Sequence, residues 1–248
     1  MEPHTQHNSS SPSLVMPAVI IFGFALIAAA IYVSNSQQTP TTSQAPTTPT
    51  ERTQAQGTIR PIDSSDYIRG NPNAPIMLVE YSDYDCQFCK QYHDTMRMIM
   101  DDYGATGRVA WVYRQFPVEQ LHPNAPRISE AALCTGELGG APAFWTFTDL
   151  IFDERDPSQA TNMTRLPEFA QTAGVSLADY TDCMSSGRQR AVVQASVDEA
   201  FAIGADGTPY TILLVGNQQA VISGAQPYAV VRNTIESLLR QIDGAPVE

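Results

Sequence analysis

The apolar positions of the chain change period several times, and each change marks an element. Ile76-Met77-Leu78-Val79-Glu80-Tyr81 is a short run, apolar except at Glu80, entered through the turn cluster Asn71-Pro72-Asn73-Ala74-Pro75. That combination predicts a buried strand. A helical pattern follows from Cys86 to about Asp102 and stops before Gly104 and Gly107. Arg108-Val109-Ala110-Trp111-Val112-Tyr113-Arg114 alternates and is rich in β-formers, so it predicts the next strand. Strand, helix and strand at these lengths form a βαβ unit with a parallel pair and a right-handed crossover. The stretch from about Pro126 to Ile203 then reads as helical. Its segments are Ile128 to Leu138, Ala143 to Phe152, Leu166 to Ala173, Leu177 to Met184 and Arg190 to Ile203, with breaks at Gly139-Gly140, Asp156-Pro157 and Gly174. Thr211 to Val215, a Gly216-Asn217 turn and Ala220 to Ile222 predict a hairpin, and Tyr228 to Ile242 a last amphipathic helix. The expected fold class is therefore α/β: β-α-β, a helical insertion at about 120–204, then β-β-α.

The N-terminal region differs from this pattern. Residues 14–33 are almost wholly apolar, about 20 residues, enough to span a bilayer as a helix. The competing reading is a cleaved signal peptide, with Ala28-Ala29-Ala30 as small residues for a peptidase. The length of the stretch and the absence of Lys or Arg before it favour an uncleaved transmembrane anchor. Residues 34–58 are rich in Thr, Pro, Gln and Ser and predict a flexible linker. The expected organisation is a short cytoplasmic tail at 1–13, the anchor at 14–33, the linker at 34–58 and one globular domain at 59–248.

Charge and cysteine usage narrow the setting. A net charge of −12 with no Lys or Arg cluster argues against nucleic-acid binding. All four cysteines lie C-terminal to the apolar stretch, which suits an oxidising compartment outside the cytoplasmic membrane. The expected location is a single-pass membrane protein with its domain on the extracytoplasmic side.

Cys86-Gln87-Phe88-Cys89 carries the chemistry. The pair follows a strand and opens a helix, whose first N–H groups are unpaired and favour negative charge. A cysteine there ionises more readily, and the thiolate is the species that exchanges disulfides. Cys86 is the expected nucleophile and Cys89, one turn in, the resolving thiol. A static disulfide or half of a zinc site are the alternatives, but no second Cys-x-x-Cys or paired histidine supplies the missing zinc ligands. Cys134 and Cys183 either form a structural disulfide or remain two buried thiols; an oxidising compartment favours the disulfide. Met96, Met98 and Met100 have a spacing that does not put all three on one helix face, so core packing of some of them outweighs a copper site. His93 and His122 are as well explained as helix and loop residues as ligands.

Asn73-Ala74-Pro75, the run Glu80 to Lys90 around the cysteines, the helical insertion, and Gly207-Thr208-Pro209-Tyr210 before the hairpin together resemble the DsbA family of thiol–disulfide oxidoreductases. The resemblance implies a thioredoxin-like fold and a cis peptide before Pro209. It also implies a substrate site formed by Thr208, Pro209, Gln87 and Phe88, and a proton-relaying buried acid at Glu80. No bound cofactor or metal is expected, since the dithiol is the redox group. The implied partners are exported, cysteine-containing unfolded proteins and a quinone-linked membrane reoxidase. Two alternatives share the residues: a disulfide reductase or isomerase, and a copper-delivery protein using the two cysteines as ligands. The chain departs from the family pattern inside the motif, where Gln87-Phe88 stands in place of Pro-His. Phe88 brings no charge, and Asp83 and Asp85 lie nearby in sequence, so a less oxidising disulfide than that of the histidine-containing enzymes is expected.

Overall fold

A computed structural model describes residues 57–244. Its strands are β1 (Tyr67–Gly70), β2 (Ile76–Ser82), β3 (Val109–Gln115), β4 (Tyr210–Val215) and β5 (Gln218–Ser223). Its helices are α1 (Gln87–Ile99), α2 (Ala125–Glu154), α3 (Leu166–Thr172), α4 (Leu177–Ser186), α5 (Arg190–Ala202) and α6 (Tyr228–Ile242), with a π-turn at Met100–Gly104 closing α1. The strands form one sheet in the order β1-β3-β2-β4-β5. Only β2 and β3 run parallel; β1–β3, β2–β4 and β4–β5 are antiparallel.

β2 and β3 are buried along their whole length because helices cover both faces of the sheet. Alternate side chains of a strand point to opposite faces. Ile76, Leu78, Trp111 and Tyr113 accordingly join a large core with α1, α2, α3, α4 and α6. Met77, Val79, Tyr81, Ala110 and Val112 join a smaller core with Ile59, Phe116 and Ala200 of α5. α1 enters the large core along one stripe, Cys89, Tyr92, Met96 and Ile99, at the three- and four-residue spacing of an amphipathic helix.

The structure meets some expectations and corrects others. The two helices predicted at 128–138 and 143–152 are both present as the two arms of α2, separated as expected at Gly140, whose φ of +72° is non-helical and one that only glycine adopts without strain. β1 is an additional strand, too short to carry a period of its own and held by its pairing with β3 from Tyr67 opposite Tyr113 to Gly70 opposite Ala110. Among the described residues no helix is long and apolar enough to cross a membrane. The fold class is therefore corrected to an α/β domain in which, among the described residues, there is no transmembrane helix, and the expected anchor, membrane contact and single-pass location find no support among them. Residues 14–33, like the expected tail and nearly all of the expected linker, lie outside the described residues.

Candidate active site

The site is built where β2 runs into α1. Ser82 ends the strand, and Asp83 shapes the turn that follows. Its Oδ1 accepts the Asp85 N–H at 2.7 Å, and its carbonyl accepts the Cys86 N–H at 3.2 Å. Its other oxygen accepts the Val118 N–H at 2.7 Å and bonds His122 Nδ1 at 2.8 Å. Asp83 thus ties the turn to the loop after β3 while being fully buried itself. Asp85 is buried too; it accepts the Thr161 N–H at 2.8 Å, and its Oδ1 lies 3.6 Å from Arg155 Nε. Both carboxylates are engaged away from the cysteines, so the repulsion between them and a thiolate expected from sequence proximity is offset by these partners.

Cys86 is the N-cap of α1, with extended backbone, and Cys89 lies one turn inside the helix. Both are free thiols; Cys86 is 6% exposed and Cys89 fully buried. Opposite them, Thr208 and Pro209 precede β4, and the peptide between them is cis. Cys86 Sγ lies 3.5 Å from the Thr208 carbonyl oxygen, to which the thiol can donate. The Pro209 carbonyl accepts the Gly224 N–H at 3.0 Å, fastening this loop to the end of β5.

The two thiols ionise in opposite senses. The Cys89 thiol donates to the Cys86 sulfur, burial opposes this, and the Thr208 hydroxyl and the N–H groups of Cys89 and Phe88 add to it. The sum lowers the Cys86 pKa to about 6. Burial pushes Cys89 well above the ordinary thiol range, and its bond to Cys86 adds to that. At neutral pH one sulfur is a poised thiolate and its neighbour holds the proton.

Glu80 sits behind the pair on β2, fully buried, with Oε2 accepting the Trp111 Nε1–H at 2.9 Å. Burial raises its pKa to about 7, against the opposing effect of the nearby Ser82 hydroxyl and the Trp111 hydrogen bond. A carboxyl that titrates near neutrality can give and take protons under working conditions. Gln87 and Phe88 lie on the exposed rim, Phe88 at 53% exposure. The structure thus brings Cys86, Cys89, Glu80 and the Thr208–Pro209 loop to one end of the sheet.

The remaining candidates lie elsewhere. Cys134 of α2 and Cys183 of α4 are joined by a disulfide, with Cα atoms 5.8 Å apart. His93 is a core residue bonded to Asp149 at 2.8 Å and stacked on Phe152, and Lys90 donates to the Phe152 carbonyl. Met96 and Met100 are buried in the large core while Met98 is exposed. Among the described residues no group of three or more His, Cys, Asp and Glu side chains converges as a metal site. Sequence reasoning missed Trp111, the donor to Glu80, and the structural roles of Asp83 and Arg155. The Glu–Trp pair needs the β2–β3 register, and the Asp83-Tyr84-Asp85 spacing of a side-chain-capped turn was the one local signal for Asp83.

The family model described as Thioredoxin matches residues 63–237, well over half of the chain. Among solved structures the chain is similar to oxidised BdbD of Bacillus subtilis, with a TM-score of 0.62 and 18% identity, covering 71% of this chain and 94% of that one. It is similar also to the thiol-disulfide exchange protein alpha-DsbA2 of Wolbachia pipientis, with a TM-score of 0.60 and 18% identity over 71% of this chain and 88% of that one. At such identities the likeness is one of fold. In sequence, the Na(+)/H(+) antiporter NhaA 3 of Salinispora tropica is 30% identical over 150 residues, 60% of this chain. The match spans only 22% of that antiporter's own length.

Proposed function

Because the chain belongs to the thioredoxin family, we propose that its thiol–disulfide oxidoreductase site donates the Cys86–Cys89 disulfide to proteins that present reduced cysteines. The observation that carries this reading is the placement of Cys86 at the start of α1, 3.5 Å from the carbonyl of the cis Thr208–Pro209 loop with Cys89 one turn inside, an arrangement that lowers the Cys86 pKa and raises that of Cys89. A stabilised Cys86 thiolate favours the reduced enzyme, and so makes the disulfide a better oxidant. The substrate thiolate attacks Cys86 Sγ, and the bond to Cys89 breaks. A second substrate thiolate then attacks the substrate sulfur of the mixed disulfide. The substrate leaves oxidised and the enzyme leaves as Cys86 thiolate and Cys89 thiol.

Around this chemistry, the cis Thr208–Pro209 loop supplies backbone groups beside Cys86 with which an extended peptide can pair as an added strand. The exposed Gln87 and Phe88 offer a polar and an apolar contact on the same rim. Cys134–Cys183 serves as a brace between α2 and α4 outside the reaction. The test is oxidation of a reduced, unfolded cysteine-containing protein by the disulfide form of the enzyme. Cys86→Ser should abolish it, and Cys89→Ser, which cannot form the enzyme disulfide, should accumulate a mixed disulfide through Cys86 when its thiolate attacks the disulfide of the oxidised substrate. Oxidation that survives Cys86→Ser would overturn the assignment.

A further inference from the structure

Building on the exchange function proposed above, we infer that Ser82, Tyr113 and Gln115 form a proton route from the Glu80–Cys89 pair to a solvent-open cavity beyond the sheet edge. The parallel register sets Glu80 opposite Tyr113 and Ser82 opposite Gln115. Positions two apart on a strand share a face, and paired positions point to the same side. The four side chains therefore occupy one contiguous patch of the large-core face. All four residues are buried. Glu80 Oε1, Ser82 Oγ, the Tyr113 hydroxyl and both polar atoms of the Gln115 amide have no hydrogen-bond partner of good geometry in the protein. Buried polar groups are normally paired, and a polar, connected set of this kind is where internal water resides. The Ser82 hydroxyl faces three titratable groups at once, lowering the pKa of Glu80, of Cys89 and of Tyr113. Tyr84 packs on Tyr113 with ring centroids 5.1 Å apart, and its hydroxyl bonds Thr148 at 3.0 Å, closing the far side.

The patch leads outward. β1 pairs with β3 only as far as Tyr113, which leaves the β3 edge at Arg114 and Gln115 without a strand neighbour. There a cavity of about 750 Å³ opens, lined among others by Tyr113, Gln115, Asp66, Ser196 and Glu199. Tyr113 and Gln115 thus border both the polar patch and this cavity, while their own polar side-chain atoms stay buried. When substrate attacks Cys86, the electron pair of the broken S–S bond goes to Cys89, which takes the proton of the Glu80 carboxyl. The Glu80 carboxylate regains a proton from solvent through the Ser82 and Tyr113 hydroxyls and water held by the Gln115 amide. The reverse sequence releases the proton when Cys89 is reoxidised. Tyr113 and Gln115 touch neither substrate nor the reacting sulfurs in this scheme and are positioning residues for Glu80, while the Ser82 hydroxyl also faces the Cys89 sulfur.

Stopped-flow reduction of the disulfide form by dithiothreitol tests the route. Ser82→Ala and Tyr113→Phe should each slow reduction at pH 7 by at least about ten-fold, the lower range of a general-acid contribution. Each should also enlarge the solvent deuterium isotope effect and regain rate with added imidazole, a small proton carrier. Ala195→Trp, at an exposed position lining the cavity, should slow the reaction in the same way without altering the buried patch. Wild-type rates in these variants, or a loss that shows neither the isotope effect nor rescue by imidazole, would overturn the inference. Failure of the wild-type protein to exchange, or exchange that survives Cys86→Ser, would instead sink the proposed function, so the two failures are distinguishable.

Discussion

Glu80→Gln keeps the shape of the side chain and an oxygen to accept the Trp111 N–H, but removes the ability to ionise. Glu80 is fully buried, and burial raises its pKa from 4.5 to about 7. The sign follows from linkage: the native state holds this proton more tightly than the unfolded chain does. The stability it contributes is complete below about pH 4.5 and is lost as pH rises through 7. A shift of that size, at about 1.4 kcal/mol per pKa unit, costs about 3 kcal/mol by pH 8. Glu80→Gln should therefore leave stability near wild type at pH 4.5 and raise it by about 3 kcal/mol at pH 8. Urea unfolding of both proteins in the disulfide form, at the two pH values, measures the difference. An equal effect at both would mean that the carboxyl is not held protonated by burial, and the relay would lose its basis.

Further outcomes follow from the same geometry. Alkylation of the reduced protein by iodoacetamide should modify Cys86 alone, with a rate that rises through about pH 6; a midpoint in the ordinary thiol range near 9 would contradict the thiolate assignment. Because the folded Cys86 pKa is depressed, reduced protein should gain stability over the disulfide form between pH 6 and 9 and lose it as pH falls through 6, which urea melts of the two forms would show. Cys134→Ala with Cys183→Ala opens a loop with a sequence separation of 49, which costs roughly 4 kcal/mol in the chain-entropy model, yet disulfide exchange should persist at a temperature where the variant is folded. Asp83→Ala leaves the buried N–H of Asp85 and the part-buried N–H of Val118 without their acceptor and should cost about 2 kcal/mol in chemical denaturation; an unchanged midpoint would refute its role in the turn.

Local patterns foretold much of the frame. β2, β3, the hairpin and α6 were legible because each carries its own period and its own turn residues. β1 was not, since four residues carry no usable period and its evidence is the pairing of Tyr67 with Tyr113. Gly139-Gly140 read as a helix break, and Gly140 is the non-helical residue that separates the two arms of α2. At the site, the two cysteines were plain in the sequence, and Glu80 and Pro209 came with the family resemblance. The electrostatics were not. Asp83 and Asp85 are close to Cys86 in sequence, but their partners Val118, His122, Thr161 and Arg155 are remote in sequence and turn their charges elsewhere. The groups that do stabilise the thiolate include Thr208, separated from Cys86 by 122 positions. The apolar stretch at 14–33, the strongest local pattern in the chain, lies outside the described residues.

The absence of histidine between the cysteines lowers the expected oxidising strength, and the Cys86 environment restores part of it. A thiol lowered from 9.0 to about 6 stabilises the reduced form by about 1.4 kcal/mol at pH 7, or roughly 30 mV. Thiol pKa values of about 7 and about 3.5 accompany potentials of roughly −270 mV in thioredoxin and −120 mV in the strongest oxidant of this kind. Equilibration of the Cys86–Cys89 couple against glutathione buffers is the most direct measurement of the central claim. The account predicts one reversible two-electron couple between those two potentials, lost in Cys86→Ser. A potential at or below that of thioredoxin would contradict a disulfide donor, and a cysteine pair that does not equilibrate at all would contradict the active site itself.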